Sequence, residues 1–188
     1  MEPPEPVGPP PLPLPERAHD VAVGAESSCS LSREGVVRCW GSNRFGQLGR
    51  GAAVGYATRL DPEVVELPPV RRLVSGLFHV CAIVDTSEPD MERLVPDGQV
   101  WCWGHNAWGQ LGDGTLTDSS VPVLATGLHD ALDLGLGLGH TCALMRDRSV
   151  WCWGRNHMGQ LGDGTTDERV EPRAVPELQA TAVACSSG

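Results

Sequence analysis

The fifteen residues WCWGHNAWGQLGDGT, at positions 101–115, carry three Trp and four Gly. Almost the same string returns at 151–165 as WCWGRNHMGQLGDGT, and a weaker copy, RCWGSNRFGQLGRG, stands at 38–51. A string that occurs three times in one chain predicts a repeated structural unit rather than a single active site.

The copies recur at a nearly constant interval, counted from the glycine five residues before the first cysteine of each copy. These glycines are Gly24, Gly76 and Gly137, with Gly188 in the matching place. The intervals are 52, 61 and 51 residues, and the middle one is long because its two cysteines lie 21 residues apart instead of 10. Without that insertion the period is close to 51 residues. We therefore place the units near 24–75, 76–136 and 137–187.

The composition excludes several classes of protein. The chain has 188 residues, a net charge of -10 and 14 basic residues, all of them Arg. A chain this acidic repels phosphate backbones, so we expect no nucleic-acid partner. It contains no apolar run of about 18 residues, so we expect no membrane span. Residues 1–17 are rich in Pro, which predicts a disordered linker, with a proline-rich ligand for a partner as the alternative.

Within one unit the apolar residues alternate in short runs, interrupted about every ten residues by Gly, Pro, Asn or Asp, which is typical of strands and turns. In the third copy we expect strands at 131–137, 140–145, 149–153 and 172–176, and no segment offers a helical stripe. Four strands in a unit of about 51 residues indicate one blade of a β-propeller. The sequence thus predicts an all-β fold over 18–188, a partial β-propeller of about three four-stranded blades plus the start of a fourth.

The cysteines of each copy lie on the two sides of one predicted hairpin. In the first copy, Cys29 and Cys39 are symmetric about Glu34, which leaves Arg33, Glu34 and Gly35 as a three-residue loop. Directly opposed residues on antiparallel strands are close enough for a disulfide. We therefore predict three bridges: Cys29 with Cys39, Cys81 with Cys102, and Cys142 with Cys152.

Paired cysteines favour an extracellular or cell-envelope location, although residues 1–17 do not resemble a signal peptide. The alternative is a cytoplasmic protein whose reduced cysteines act as small apolar residues. Zinc is disfavoured because the chain has no C-x-x-C pair. Cys185 has no partner that the repeat would generate.

The constant residues of the motif are expected to be structural. Glycine allows turns with positive φ, asparagine holds a turn through its side chain, and the Trp before the first motif glycine is suited to wedge between neighbouring sheets. These residues are Trp40, Trp103, Trp153, Gly41, Gly104, Gly154, Asn43, Asn106 and Asn156.

The pattern GxxHxCAL followed by VWCWGxNxxGQLGDGT resembles the regulator of chromosome condensation repeat, in particular its bacterial type with paired cysteines. The resemblance covers nearly all of residues 18–188. It implies a propeller of seven blades in known members, which at about 51 residues per blade needs roughly 357 residues. The chain has 188, so we expect a fragment of a longer propeller or a dimer that completes a ring.

The positions that vary between copies are the candidate binding residues. Constant glycines with changing neighbours suggest a fixed loop that displays a variable surface, and aromatic residues and Arg are common binding anchors. The candidates are Phe45, Trp108, Met158, Arg44, His105, Arg155 and His157. The alternative is that Phe45, Trp108 and Met158 fill the gaps between blades.

Other residues give weaker signals. His79 and His140 occupy matching positions where the first copy has Ser27, so we expect them to be hydrogen-bonding rather than catalytic or metal-binding residues. Asp113 and Asp163 in GDGT are expected to form turns, with calcium binding as the alternative. No acid/base pair or nucleophile motif occurs, so we expect no catalytic residue, no metal, no cofactor and no enzymatic activity.

Together these features predict a non-enzymatic scaffold for protein–protein interaction that presents one rim of propeller loops to an unknown protein partner. The alternative, guanine nucleotide exchange on a small GTPase, is implied by the family resemblance alone. Self-association is a further expectation for an incomplete ring.

Overall fold

The computed structural model describes residues 18–51, 55–85 and 98–185. The regular secondary structure in these ranges consists of β-strands alone. In chain order the strands are β1 (Ala18–Val23), β2 (Ser27–Ser32), β3 (Val37–Asn43), β4 (Gly55–Val65), β5 (Val70–Ser75), β6 (His79–Val84), β7 (Val100–Gly104), β8 (Ser119–Leu124), β9 (Ala131–Leu136), β10 (His140–Met145), β11 (Ser149–Gly154) and β12 (Arg169–Gln179). The predicted linker 1–17 and most of the insertion in the second copy lie outside the described residues. Nowhere in the described ranges is there a helix long and apolar enough to cross a membrane.

The strands form three antiparallel sheets of four strands each. The first sheet contains β1 to β4, the second β5 to β8 and the third β9 to β12, and in each sheet strands consecutive in sequence are neighbours. The strand β5 contacts β1 and β2, and β9 contacts β5 and β6, so the first strands of the three sheets lie beside one another. The period glycines Gly24, Gly76 and Gly137 directly follow β1, β5 and β9. The arrangement is the predicted partial β-propeller.

The outer strand of the third sheet is longer than the sequence indicated. The first three strands of this sheet match the predicted ranges to within one residue, whereas β12 covers Arg169–Gln179 instead of 172–176. Its register with β11 shifts twice, which accommodates the additional residues. Pro172 and Pro176 lie in this strand, and an edge strand tolerates proline because one of its sides forms no ladder.

The central hairpin of each sheet has the predicted register. In the first sheet Cys29 pairs with Cys39 and Leu31 with Val37, and Gly35 in the loop has φ of 82°. The matching pairs are Cys81 with Cys102, Ile83 with Val100, Cys142 with Cys152, and Leu144 with Val150. The same register in three copies places one apolar pair next to one cysteine pair in every sheet.

Two apolar cores fill the boundaries between neighbouring sheets. The core between the first and second sheets includes Leu31, Val37, Leu48, Val80 and Trp103. The core between the second and third sheets includes Ile83, Val100, Leu111, Ala143 and Trp153. Each sheet therefore depends on its neighbour for burial, as expected for a repeat protein.

The motif tryptophans connect the sheets. Trp103 and Trp153 are fully buried, and each indole Nε1–H donates a hydrogen bond to the preceding sheet's loop, to the backbone oxygen of Gln47 at 3.0 Å and of Gln110 at 2.9 Å. Trp40, at the same motif position in the first sheet, is partly exposed because no described sheet covers that side. Trp103 and Trp153 thus pack between neighbouring sheets at the two boundaries that the described residues form.

The residues after β12 pack on the far face of the third sheet. Ala180, Val183 and Cys185 contact the cluster that contains Leu144. Residues 180–185 form no strand, and Cys185 lies so close to Gly135 of β9 that a Cβ there would be 3.0 Å from the Cys185 Sγ. In the repeat this is the place of the first strand of a following unit, so these residues correspond to the expected start of a fourth.

Candidate interaction rim

The motif loop between the third and fourth strands of each sheet is organised by its asparagine. Asn106 is fully buried; its Oδ1 accepts a hydrogen bond from the Leu111 N–H at 2.9 Å, and its Nδ2 donates to the backbone oxygens of Thr115 and Thr117, both at 3.1 Å. The same backbone bond to the asparagine is made by Leu48 to Asn43 at 3.1 Å and by Leu161 to Asn156 at 3.0 Å. Buried, fully used amides of this kind fix a loop in one conformation.

The aspartate of GDGT is engaged within its own loop. Asp113 Oδ1 accepts hydrogen bonds from the Thr115 N–H at 3.0 Å and hydroxyl at 2.9 Å. Asp163 accepts them from the Thr165 hydroxyl at 2.7 Å and from Arg169 Nε at 2.8 Å. The bond from Thr165 is the main cause that lowers the pKa of Asp163 to about 2, and Arg169 lowers it further. These contacts explain why the turn carries an aspartate.

The glutamine of GQLG holds the backbone of the variable residue. Gln110 Oε1 accepts a hydrogen bond from the Trp108 N–H at 3.0 Å. Gln47 binds Phe45 in the same way at 2.8 Å, and Gln160 binds Met158 at 2.9 Å. Because the bond is made to the backbone, the loop keeps its shape whichever side chain it displays. The sequence indicates this loop-holding role of the glutamine, because all three copies of the motif contain it.

The variable residues of neighbouring loops form one continuous surface, the rim row. The ring centres of Phe45 and His105 are 4.6 Å apart, and those of His105 and Trp108 are 5.1 Å apart. The Arg44 guanidinium stands 5.1 Å from the centre of the Phe45 ring, and the Arg155 guanidinium stands 5.0 Å from that of Trp108. The rim row consists of Arg44, Phe45, His105, Trp108, Arg155 and His157, whose ring nitrogen Nε2 is 3.1 Å from Arg155.

Phe45 and Trp108 also pack against residues of the following sheet. The ring centres of Phe45 and Phe78 are 5.3 Å apart, and Phe78 is a variable residue of the GxxH segment directly before β6. A Cβ on Gly139 would be 2.4 Å from the Trp108 ring. Both side chains are therefore partly used to fill the gap between blades. Met158 has no following sheet among the described residues and is 79% exposed.

His105, at the middle of the rim row, is expected to be neutral near pH 7. Burial lowers the pKa of His105, and the opposing effect of Asp118 is smaller. His105 Nδ1 lies 2.9 Å from Gln110 Nε2, so a neutral ring accepts the amide hydrogen there and keeps Nε2–H as a donor. His105 therefore adds no positive charge to that of Arg44 and Arg155 near pH 7.

The three cross-strand cysteine pairs are joined as disulfides. In each pair the two Cα atoms are 4.1 Å apart. Cys185 is free, and burial raises the pKa of its thiol to about 11.

Alkylation in denaturant tests this cysteine pattern. Without reductant, iodoacetamide should add one group, at Cys185, because the six paired cysteines have no thiol; after reduction it should add seven. Intact mass spectrometry measures both numbers. Seven additions without reductant, in protein kept under oxidising conditions, would contradict the disulfides.

Two models of the regulator of chromosome condensation (RCC1) repeat match the chain. One matches residues 34–83, 97–144 and 147–188, and the other matches 18–47 and 133–160. The matches of the first model are offset from the sheets by half a unit: the first runs from before β3 into β6, the second from before β7 into β10, and the third starts before β11. Together the matches cover most of the chain.

The chain is similar to parts of longer proteins. It is 32% identical over 154 residues to the X-linked retinitis pigmentosa GTPase regulator homolog of Caenorhabditis elegans, covering 74% of this chain and 10% of that protein. It is 32% identical over 173 residues to the probable E3 ubiquitin-protein ligase HERC4 of Mus musculus, covering 88% of this chain and 15% of that protein. The chain thus spans a small part of these curated relatives.

A solved structure supports the fold. The structure of Kap60 bound to yeast RCC1 (Prp20) contains a chain that matches with a TM-score of 0.76 at 21% identity, covering 94% of this chain and 41% of that one. This likeness establishes the propeller geometry of the three sheets. With the repeat models matching most of its length, the chain belongs to the regulator of chromosome condensation (RCC1) repeat family.

Proposed function

We propose that this protein is a non-enzymatic scaffold that binds a protein partner through the rim row and the neighbouring Met158. The observation that carries the proposal is the continuous line of aromatic rings and guanidinium groups across all three motif loops. Large aromatic and Arg side chains dominate binding energy in protein interfaces. Loops fixed by buried amides lose little conformational freedom when a partner binds, which favours affinity.

The relatives are consistent with such a role. Prp20 was solved in complex with Kap60, and the same repeat occurs in a GTPase regulator homolog and a ubiquitin ligase. This chain covers at most 15% of the two curated relatives, so their own activities are not transferred. What they support is a repeat that occurs within longer proteins and that, in Prp20, belongs to a chain solved with a protein bound to it.

We also propose that the protein works in an oxidising compartment outside the cytosol. The support is the placement of three cysteine pairs as disulfides, because such bonds persist in secreted and envelope proteins and are rare in the cytosol. Each bridge contributes up to about 3 kcal/mol of stability, an amount that reducing conditions would remove.

A paired substitution at the exposed end of the rim tests the binding proposal. Arg155→Ala with Met158→Ala should weaken binding of a partner recovered with the intact chain by about tenfold or more, because interface anchors of this type contribute over about 1.4 kcal/mol. Met158 is 79% exposed, so its removal should not disturb the fold. Isothermal titration calorimetry measures the dissociation constants.

Leu178→Ala is the matched control, since Leu178 is an exposed apolar residue of β12 away from the motif loops. It should leave the affinity unchanged. A double variant that binds as tightly as the intact chain would exclude the rim. Faster release of a fluorescent GDP analogue from a small GTPase, lost in the same double variant, would instead favour the exchange alternative.

A further inference from the structure

His79 is a fully buried histidine at the boundary between the second and third sheets. It is the first residue of β6, and its ring contacts Thr141 of β10 across that boundary. The first copy has Ser27 at the matching position, and the third has His140, which is only partly buried. Of the two boundaries that the described residues form, the one between the second and third sheets thus has a fully buried imidazole at this position.

The hydrogen bonds around Thr141 fix the state of the His79 ring. The Thr141 hydroxyl donates to the Gln110 backbone oxygen at 2.9 Å, so it has no second hydrogen to offer. His79 Nε2 is 2.9 Å from the same hydroxyl oxygen and must therefore donate to it. Nε2 therefore carries a hydrogen, and the ring links second-sheet and third-sheet residues in one chain of bonds.

The other ring nitrogen is left without a partner. His79 Nδ1 is buried and has no hydrogen-bond partner among the described residues. It faces Gly76, where a Cβ would lie 2.8 Å from it. The titratable groups close to the ring are His105 and His140, and both disfavour a positive charge on it. A proton added at Nδ1 would therefore create a buried cation with no acceptor and no counter-charge.

Among the described residues, the other boundary has no fully buried histidine, and the titratable ring nearest to it is His105, which is only partly buried against Phe45. Between the first and second sheets the matching residues are Ser27 and Val80, neither of which titrates. Each boundary contains a buried motif tryptophan bonded to a glutamine backbone oxygen. Arg72 pairs with Asp20 across the first boundary at 3.7 Å and with Asp133 across the second at 2.8 Å. Acid is therefore expected to act on the two boundaries differently.

We propose that His79 makes the boundary between the second and third sheets acid-sensitive, so that acidification releases the third sheet while the first two stay packed. Protonation requires the ring to leave its buried position, and the third sheet must separate to allow this. The propeller then opens at a defined place rather than unfolding uniformly.

The sign of the effect follows from linkage between protonation and opening. Burial, with His105 and His140 as smaller causes, lowers the pKa of His79 from 6.5 to about 3 in the closed form. In the opened form the ring regains a pKa near 6.5, so the opened form binds one more proton between those two values. The equilibrium constant for opening should rise about tenfold for each pH unit below about 6.5.

Hydrogen exchange of two indole N–H groups, followed by NMR on the full chain, reports the two boundaries separately. Trp153 Nε1–H is bonded across the second boundary and Trp103 Nε1–H across the first, and both side chains are fully buried. After correction for intrinsic exchange rates, protection of the Trp153 indole should fall relative to the Trp103 indole by about tenfold per unit from pH 6 to pH 4.

His79→Gln is the test variant, because it retains an amide donor toward Thr141 and does not titrate. In this variant the ratio of the two protection factors should lose most of its dependence on pH, whereas His140→Gln should preserve most of the dependence. An unchanged slope in His79→Gln, or equal loss of protection at both indoles in the intact protein, would overturn the proposal. If His79→Gln does not fold, direct titration of the His79 ring decides, since an ordinary pKa in a protein with intact Trp153 protection would also overturn it.

Discussion

Replacing Trp103 by Ala should lower the free energy of unfolding by about 3 to 5 kcal/mol, the range for removing a large aromatic side chain from a core. Trp103 is fully buried between the first and second sheets, and its indole donates a hydrogen bond to the Gln47 backbone oxygen at 3.0 Å. The substitution removes this packing and leaves that oxygen without its donor. Urea unfolding followed by far-ultraviolet circular dichroism measures the change.

Trp40→Ala is the matched control because the same motif position is partly exposed in the first sheet. With less surface to lose, it should cost no more than about 1 to 2 kcal/mol. Equal losses for the two variants would mean that the motif tryptophan stabilises its own sheet. They would contradict its role as a wedge between sheets.

The sequence was sufficient to predict the fold because the repeat supplies the same evidence three times. Symmetry about Glu34 placed Cys29 opposite Cys39, and each other copy supported the same register. The outer strand was predicted less well, since β12 lies at a sheet edge where polar and proline residues are tolerated and the apolar alternation is weak.

The contacts of the rim could not be predicted in the same way. Phe78 and Gly139 contact Phe45 and Trp108, yet both are variable positions of the GxxH segment and belong to the next copy. Their role depends on how one blade sits against another, and no spacing within a single unit contains that information. The hydrogen bond of His79 could not be predicted for the same reason, because its partner Thr141 belongs to the following sheet.

Gly104→Ala should destabilise the protein by about 3 kcal/mol or more, for two reasons that the structure separates. Gly104 has φ of 103°, and a Cβ there would lie 2.5 Å from the Phe78 backbone oxygen and 3.0 Å from the His79 Cα. The positive φ costs an alanine about 1 to 2 kcal/mol, and forcing apart two backbone segments adds about 1 to 3 kcal/mol.

Gly164→Ala isolates the first of these costs. Gly164 has φ of 78° but nothing within 4 Å of the added methyl group, so only the backbone preference is lost and about 1 to 2 kcal/mol is expected. Thermal and urea unfolding of both variants give the difference, which measures how tightly β7 is held against the start of β6. If the two glycines proved equally tolerant of alanine, the close backbone approach at Gly104 would be wrong, and with it the reason why every copy of the motif has glycine directly after its tryptophan.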